Sequence, residues 1–158
     1  MAKRGLPVKL SDLSPTQFEN LLYDLMVAKH MVNIVWRTPG ADGGRDLEAQ
    51  SVLVDTSGAQ TVAKWYIECK KYTGSVGWPT IYPKLSYADA AGADYLLLCT
   101  TSKFTPQAIN SCEQWNLVRR NPKIRLWAGH DITAQLSQFP DLKARYGLQS
   151  AQSTPGRS

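Results

Sequence analysis

Three carboxylates and one lysine supply the groups that hydrolytic chemistry needs: Glu19, Asp46, Glu68 and Lys70. Asp46 follows a glycine-rich run, and Glu68 and Lys70 stand two apart in an alternating segment. On a strand that spacing turns both side chains to one face, about 7 Å apart. A hairpin closing at Ser57-Gly58 leaves Asp46 and Glu68 equidistant from the turn, hence neighbours across the pair. Two carboxylates meeting at one point repel each other unless a cation sits between them. A hard divalent ion such as Mg2+ takes oxygen ligands and suits that place. The backbone carbonyl of Cys69 offers a further oxygen. A lysine beside such an ion orients or helps deprotonate a water, and offsets charge on a phosphate in the transition state. Gly43 and Gly44, just before Asp46, let the backbone come close without a Cβ clash.

Positioning these groups takes an early helix and a three-stranded meander. Ser14-Pro15-Thr16-Gln17 places a capping serine, a proline at the first helical position and a glutamine at the third. Phe18, Leu21, Leu22 and Leu25 then form an apolar stripe, so a helix is predicted to run to Lys29 or His30. Glu19 lies on the flank of that stripe, in the row of Leu22 and Met26. Residues 31–36 read as a strand, 39–44 as a glycine turn, 46–54 as a second strand and 61–72 as a third. In the third, Val62, Lys64, Tyr66, Glu68 and Lys70 share one face, while Ala63, Trp65, Ile67 and Cys69 share the other.

Helices and strands alternate after that. A helix is expected over 79–91, with Ile81, Leu85, Ala88 and Ala91 inward. A buried strand follows over 94–100, because its apolar residues run without alternation. Thr105-Pro106 caps a helix to about Asn116, with Ile109, Cys112 and Trp115 inside. Residues 124–127 form a last strand, and Asp131 caps a final helix anchored by Ile132, Leu136 and Phe139. The order α-β-β-β-α-β-α-β-α predicts an α/β fold. Its mixed central sheet carries helices on both faces, and its later strands join by parallel crossovers.

Length and composition agree with one domain. The chain has 158 residues, 43% apolar, enough to bury a core. Residues 1–12 read as an arm, 13–147 as the domain and 148–158 as a small polar tail. The apolar run Tyr95 to Cys99 is far short of the roughly 20 residues of a membrane span, so no membrane role is expected. Cys69, Cys99 and Cys112 are odd in number and form no close pair. That argues against disulfides and zinc and for a reducing, cytoplasmic setting. A net charge of +5 suits a polyanionic partner.

At this point the residues resemble a known family. Asp46 with Glu68-Cys69-Lys70 matches the D…(D/E)-x-K signature of the PD-(D/E)xK nuclease superfamily. More closely, the chain resembles the catalytic domain of Mrr-like, type IV restriction endonucleases. The Phe18-Glu19 pair, the turn from Asp42 to Asp46, Glu68-Cys69-Lys70-Lys71-Tyr72 and Val76-Gly77 carry that likeness. So does the stretch from Thr100-Thr101-Ser102 through Phe104-Thr105 to Ala108. The resemblance implies a restriction-endonuclease-like fold and a metal-dependent DNA endonuclease acting in defence against foreign DNA. It implies Asp46 and Glu68 as metal ligands, Lys70 as the catalytic lysine and Glu19 as the helix-borne acid completing the site. The cofactor expected is Mg2+, with Mn2+ as its substitute. Many members have Gln where this chain has Glu68, and Glu is the more metal-competent choice. Members often carry a separate DNA-recognition domain, and none fits beside the nuclease core in this chain. A recognition subunit and a homodimer for double-strand cleavage are the partners this suggests, besides DNA itself.

Two other functions share the same residues: a DNA- or protein-binding module of a defence complex that does not cut, and a structure-selective junction or repair nuclease. The intact Asp46, Glu68 and Lys70 favour an enzyme over a binding module. Arg45, Lys71 and Lys103 are the candidate phosphate contacts, each equally at home as solvated surface. Asp42 reads as a cap for the glycine turn. Trp78, Tyr82 and Tyr87 read mainly as packing groups, His30 and His130 as non-catalytic, and Cys69 and Cys112 as buried small hydrophobes.

Overall fold

A computed structural model describes residues 8–37, 45–118 and 121–148. Helix α1 (Pro15–Ala28) opens as its sequence demands. The Ser14 side chain accepts from the Gln17 N–H (3.1 Å) and the Gln17 side chain accepts from the Ser14 N–H (2.8 Å). Strands β1 (Val32–Trp36), β2 (Arg45–Val54) and β3 (Gln60–Cys69) form the antiparallel meander. Then come α2 (Trp78–Ala90), β4 (Tyr95–Cys99), α3 (Pro106–Val118), β5 (Lys123–Trp127), α4 (Gly129–Leu136) and α5 (Pro140–Arg145). The five strands lie in the order β1-β2-β3-β4-β5, with β3-β4 and β4-β5 parallel. This is the mixed sheet the sequence predicts.

Strand alternation divides the core into two layers. Leu47, Ala49, Ile67 and Cys69 pack with Phe18, Leu21, Leu22 and Leu25 of α1 and with Ile132, Leu136 and Leu142. Tyr66, Leu96 and Leu98 pack on the opposite side with Ile81, Leu85 and Ala88 of α2 and with Ala108 and Cys112 of α3. One consequence governs the site. The first residues of β2 and the last residues of β3, β4 and β5 meet at one edge of the sheet, where ligand crevices of α/β sheets form.

The structure corrects several expectations. Strand β3 ends at Cys69 rather than Tyr72, because its parallel neighbour β4 ends at Cys99, the partner of Cys69. Lys70 therefore lies just past the strand, its N–H donating to the Cys99 carbonyl (3.3 Å). On α3 the expected Cys112 is buried and Trp115 packs against the core, but Ala108 rather than Ile109 completes the inward face, and Ile109 is exposed. Asp131 is not the cap of α4. It is the third helical residue, and its carboxylate accepts the Ala128 N–H (2.9 Å) from inside the first turn. Phe139 falls beyond that helix, and Pro140 at a first helical position starts α5, which the sequence reading did not anticipate. Leu148, assigned to the tail, is buried in the core. The glycine turn over 39–44, Asp42 and the stretch beyond Leu148 lie outside the described residues. Among those described, no helix is long and apolar enough to cross a membrane.

Candidate active site

The β2-β3 hairpin turns at Asp55–Ala59. Gly58 takes φ +90° there, and the Asp55 side chain accepts from the Ser57 and Ala59 N–H groups. From that turn the register runs unbroken for ten pairs and places Asp46 directly opposite Glu68. Their side chains share the face that looks toward α2. Diagonal to the pair, the Tyr66 hydroxyl donates to Asp46 Oδ2 at 2.7 Å. Burial pushes the Tyr66 phenol well above its usual range, and the Asp46 bond adds to that, so Tyr66 stays a donor at any ordinary pH.

Glu68 is 2% exposed, which is costly for a carboxylate without partners. Its Oε2 receives the Lys84 ammonium at 2.9 Å and the Tyr72 hydroxyl at 3.2 Å. Its Oε1 is buried and has no hydrogen-bond partner. Burial raises the Glu68 pKa; Lys84 opposes that rise, and the nearby Asp46 charge reinforces it.

Glu19 reaches the same edge from α1, on the other side of the sheet. It is 8% exposed and accepts a hydrogen bond from the Arg45 backbone N–H. Burial raises its pKa, the Arg45 N–H and charge work against that, and the Asp46 charge works with it. Folded Glu19 thus holds its proton more tightly than the unfolded chain does. Above the ordinary value of 4.5 the folded state binds the extra proton, so stability falls as pH rises through the raised value. Glu19→Gln escapes that loss. Its melting temperature is expected to gain on wild type as pH rises above the ordinary carboxyl value of 4.5. Parallel curves for the two proteins would show that the Glu19 carboxyl carries no burial penalty.

Lys70 holds its ammonium 5.3 Å from the Tyr72 ring centroid, at the mouth of the edge. Cys69 is fully enclosed; burial pushes its thiol far up, so its side chain is inert and only its carbonyl is left for ligation. Among the described residues, no group of three or more His, Cys, Asp or Glu side chains is placed to hold a metal. Asp46 and Glu68 are paired by register, and Glu19 approaches from the other side of the sheet.

The three candidate phosphate contacts differ. Arg45 stacks its guanidinium on Trp36 at 4.3 Å. Lys71 donates to the Leu13 carbonyl at 3.0 Å and ties this loop to the start of α1. Lys103 is exposed, and its carbonyl accepts the Val76 N–H (2.8 Å). The sequence reading assigned no role to Lys84, Tyr66 or Tyr72. Lys84 stands three residues after Ile81 and one before Leu85, both buried, so its helical position beside the core was a usable signal.

A family model described as restriction endonuclease, the Mrr catalytic domain, matches residues 10–136. Among curated protein sequences nothing matches. Among solved structures the chain is similar to the DNA modification-dependent restriction endonuclease AspBHI, with a TM-score of 0.53 and 19% identity. That match covers 92% of this chain and 43% of AspBHI. A second similar structure is the MspJI restriction endonuclease in complex with a 27-mer oligonucleotide, at a TM-score of 0.49 and 15% identity. It covers 80% of this chain and 29% of MspJI. The chain thus spans less than half the length of either, and at these identities the likeness is one of fold.

Proposed function

The chain belongs to the restriction-endonuclease family, and from that premise we propose that it is a metal-dependent endodeoxyribonuclease that hydrolyses phosphodiester bonds of foreign DNA. One observation carries the metal requirement. Glu68 faces Asp46 across the hairpin with one carboxylate oxygen buried and unpartnered. That donor set is all oxygen, which fits Mg2+ or Mn2+ and argues against a soft metal. Asp46 and Glu68 would hold the ion, with the Cys69 carbonyl as a further oxygen. When bound, the ion offsets charge on the phosphate and acidifies water.

The remaining work falls to the chain's own groups. Lys70, just past β3, presents a cation to the phosphate and orients the attacking water. Tyr66 fixes the Asp46 carboxylate, and Lys84 with Tyr72 fixes that of Glu68, so neither acid swings away before substrate arrives. Glu19 grips the Arg45 N–H and pins the start of β2 against α1. Residues that hold these ligands keep the geometry ready for reaction.

We place target choice in a separate recognition segment or subunit and double-strand cutting in a pair of copies. The share of AspBHI that this chain spans supports the first. The three buried free thiols suit a cytoplasmic setting. The test is plasmid nicking with and without Mg2+, run beside Lys70→Ala. Nicking that needs the ion, stops in EDTA and is lost in the variant is the expected result. Undiminished nicking in EDTA would remove the metal, and wild-type nicking by Lys70→Ala would remove the lysine.

A further inference from the structure

The catalytic edge of the sheet continues past the acidic pair into an open hollow of about 500 Å3. It lies outside the carboxyl ends of β4 and β5, between the loop after Tyr72, the loop after Thr100 and the start of α4. Its size is ordinary for a ligand site, but its walls are hydroxyl-rich and cationic rather than apolar. Lys9, Lys103 and His130 line it together with hydroxyls such as Ser75 and Thr133, and none of its lining residues is acidic. The carboxylates Asp46 and Glu68 on this edge thus stand beside a hollow whose charged lining is cationic, at Lys9 and Lys103.

The walls are built rather than loose. Val76 and Phe104 pair as an isolated bridge, with Val76 N–H on the Lys103 carbonyl (2.8 Å) and Thr105 N–H on the Val76 carbonyl (3.0 Å). The Ser102 hydroxyl donates to the Gly74 carbonyl at 2.8 Å and locks the two loops together. Gly129 closes the floor so tightly that a Cβ there would lie 2.6 Å from the Thr101 carbonyl oxygen. Its N–H donates to the Ser102 carbonyl (3.0 Å). The nearby carboxylates bond the backbone beside the hollow, and Asp131 also faces His130 of its wall. Asp12 accepts the Lys9 N–H (3.0 Å), and Asp131 accepts the Ala128 N–H while facing His130 at 3.4 Å.

We infer that this hollow is a second phosphate subsite, which holds a backbone phosphate of duplex DNA flanking the one at Asp46 and Glu68. The inference rests on the nuclease reading, since a polyanionic strand crossing the carboxylate pair must continue along this edge. Cations and hydroxyls there contact phosphate oxygens without reading sequence, so they set the strand's register over the acidic pair.

The test is binding of a fluorescein-labelled DNA duplex, followed by anisotropy in EDTA over a range of salt. Lys9→Ala/Lys103→Ala is compared with Lys123→Ala, which removes charge at the amino end of β5, the opposite edge. The pocket variant is expected to weaken binding equally for unrelated sequences. It should also lower the slope of log affinity against log salt by about 0.9, the value of one phosphate contact. Ser75→Glu should weaken binding further, and Lys123→Ala should match wild type. All these side chains are exposed or at a strand end, and unchanged melting curves confirm the fold. If wild type binds and the pocket variant keeps its affinity and slope, the subsite is overturned and the nuclease reading stands. If wild type nicks plasmid and Lys123→Ala loses as much slope as the pocket variant, binding is diffuse and the subsite again fails. If wild type nicks plasmid with Mg2+ but binds no duplex in EDTA, the subsite is overturned and the nuclease reading stands; if it neither nicks nor binds, both fall.

Discussion

Asp46→Asn is expected to cut DNA at least about 100- to 1,000-fold more slowly than wild type, the scale of losing one preorganised electrostatic group. The substitution keeps the shape and an acceptor oxygen, so the Tyr66 hydroxyl retains its partner and β2 keeps its register opposite β3. What disappears is one negative charge of the pair that faces the buried, unpartnered Glu68 oxygen. Two effects then separate. The carboxylate repulsion between Asp46 and Glu68 is relieved, so the melting temperature should hold or rise. Affinity for a divalent ion should fall, because a hard cation loses a charged oxygen. Titrating Mn2+ against melting temperature reads the second effect without cleavage, since a ligand that binds only the folded state stabilises it by an amount that grows with the logarithm of its affinity. Cleavage within about tenfold of wild type would remove Asp46 from the site. A collapse in melting temperature would make it a structural residue.

The pairing of Asp46 with Glu68 was legible because it is local in sequence. A tight turn, unbroken alternation and equal arm lengths set a hairpin register, and a slip of one residue would turn Leu47 and Ile67 out of the core. The α1 cap was legible for the same reason, since Ser14 and Gln17 satisfy each other within one turn. The later elements depend on distant contacts. Where β3 stops is decided by β4, some thirty residues on, so Lys70 read as a strand residue. How α3 rotates is decided by what it packs against, so Ile109 was assigned the wrong side. Helix α5 is six residues long, too short to leave a periodic trace. The missing member of the site was Lys84, for the same physical reason. Its place beside the core face of α2 was readable, but nothing near it in sequence says that this flank meets the end of β3 farthest from the hairpin turn. Burial of Glu68 made a partner obligatory, and only the packing of α2 says which lysine provides it.

That partnership leads to the second large effect. Lys84→Met is expected to destabilise the protein by about 3–5 kcal/mol in metal-free buffer, the usual cost of leaving a buried ion-pair partner alone. At roughly 2–4 °C per kcal/mol for a chain of this size, the melting temperature should fall by roughly 6–20 °C. Methionine fills most of the lysine volume, so the loss is electrostatic and not a cavity. Glu68 then keeps the Tyr72 hydroxyl but no ammonium on its Oε2 among the described residues, and burial already favours its protonated form. The deficit should therefore shrink as pH falls, because a protonated Glu68 needs no counter-charge. Glu68→Gln/Lys84→Met removes both charges and should recover most of the loss, as neutral pairs often match buried ion pairs in stability. If the double variant melts no higher than Lys84→Met, the two residues are uncoupled and the pair contributes nothing. Mn2+ supplies the sharper distinction. In wild type the Lys84 ammonium already offsets part of the Glu68 charge. In Lys84→Met an added cation meets that charge unshared, so Mn2+ should raise the melting temperature by more than it does in wild type. An equal rise in both would mean that Lys84 and the ion do not act on the same carboxylate. A larger rise would identify α2 as the element that holds Glu68 ready for its cation, tying the stability of one helix to the occupancy of the site.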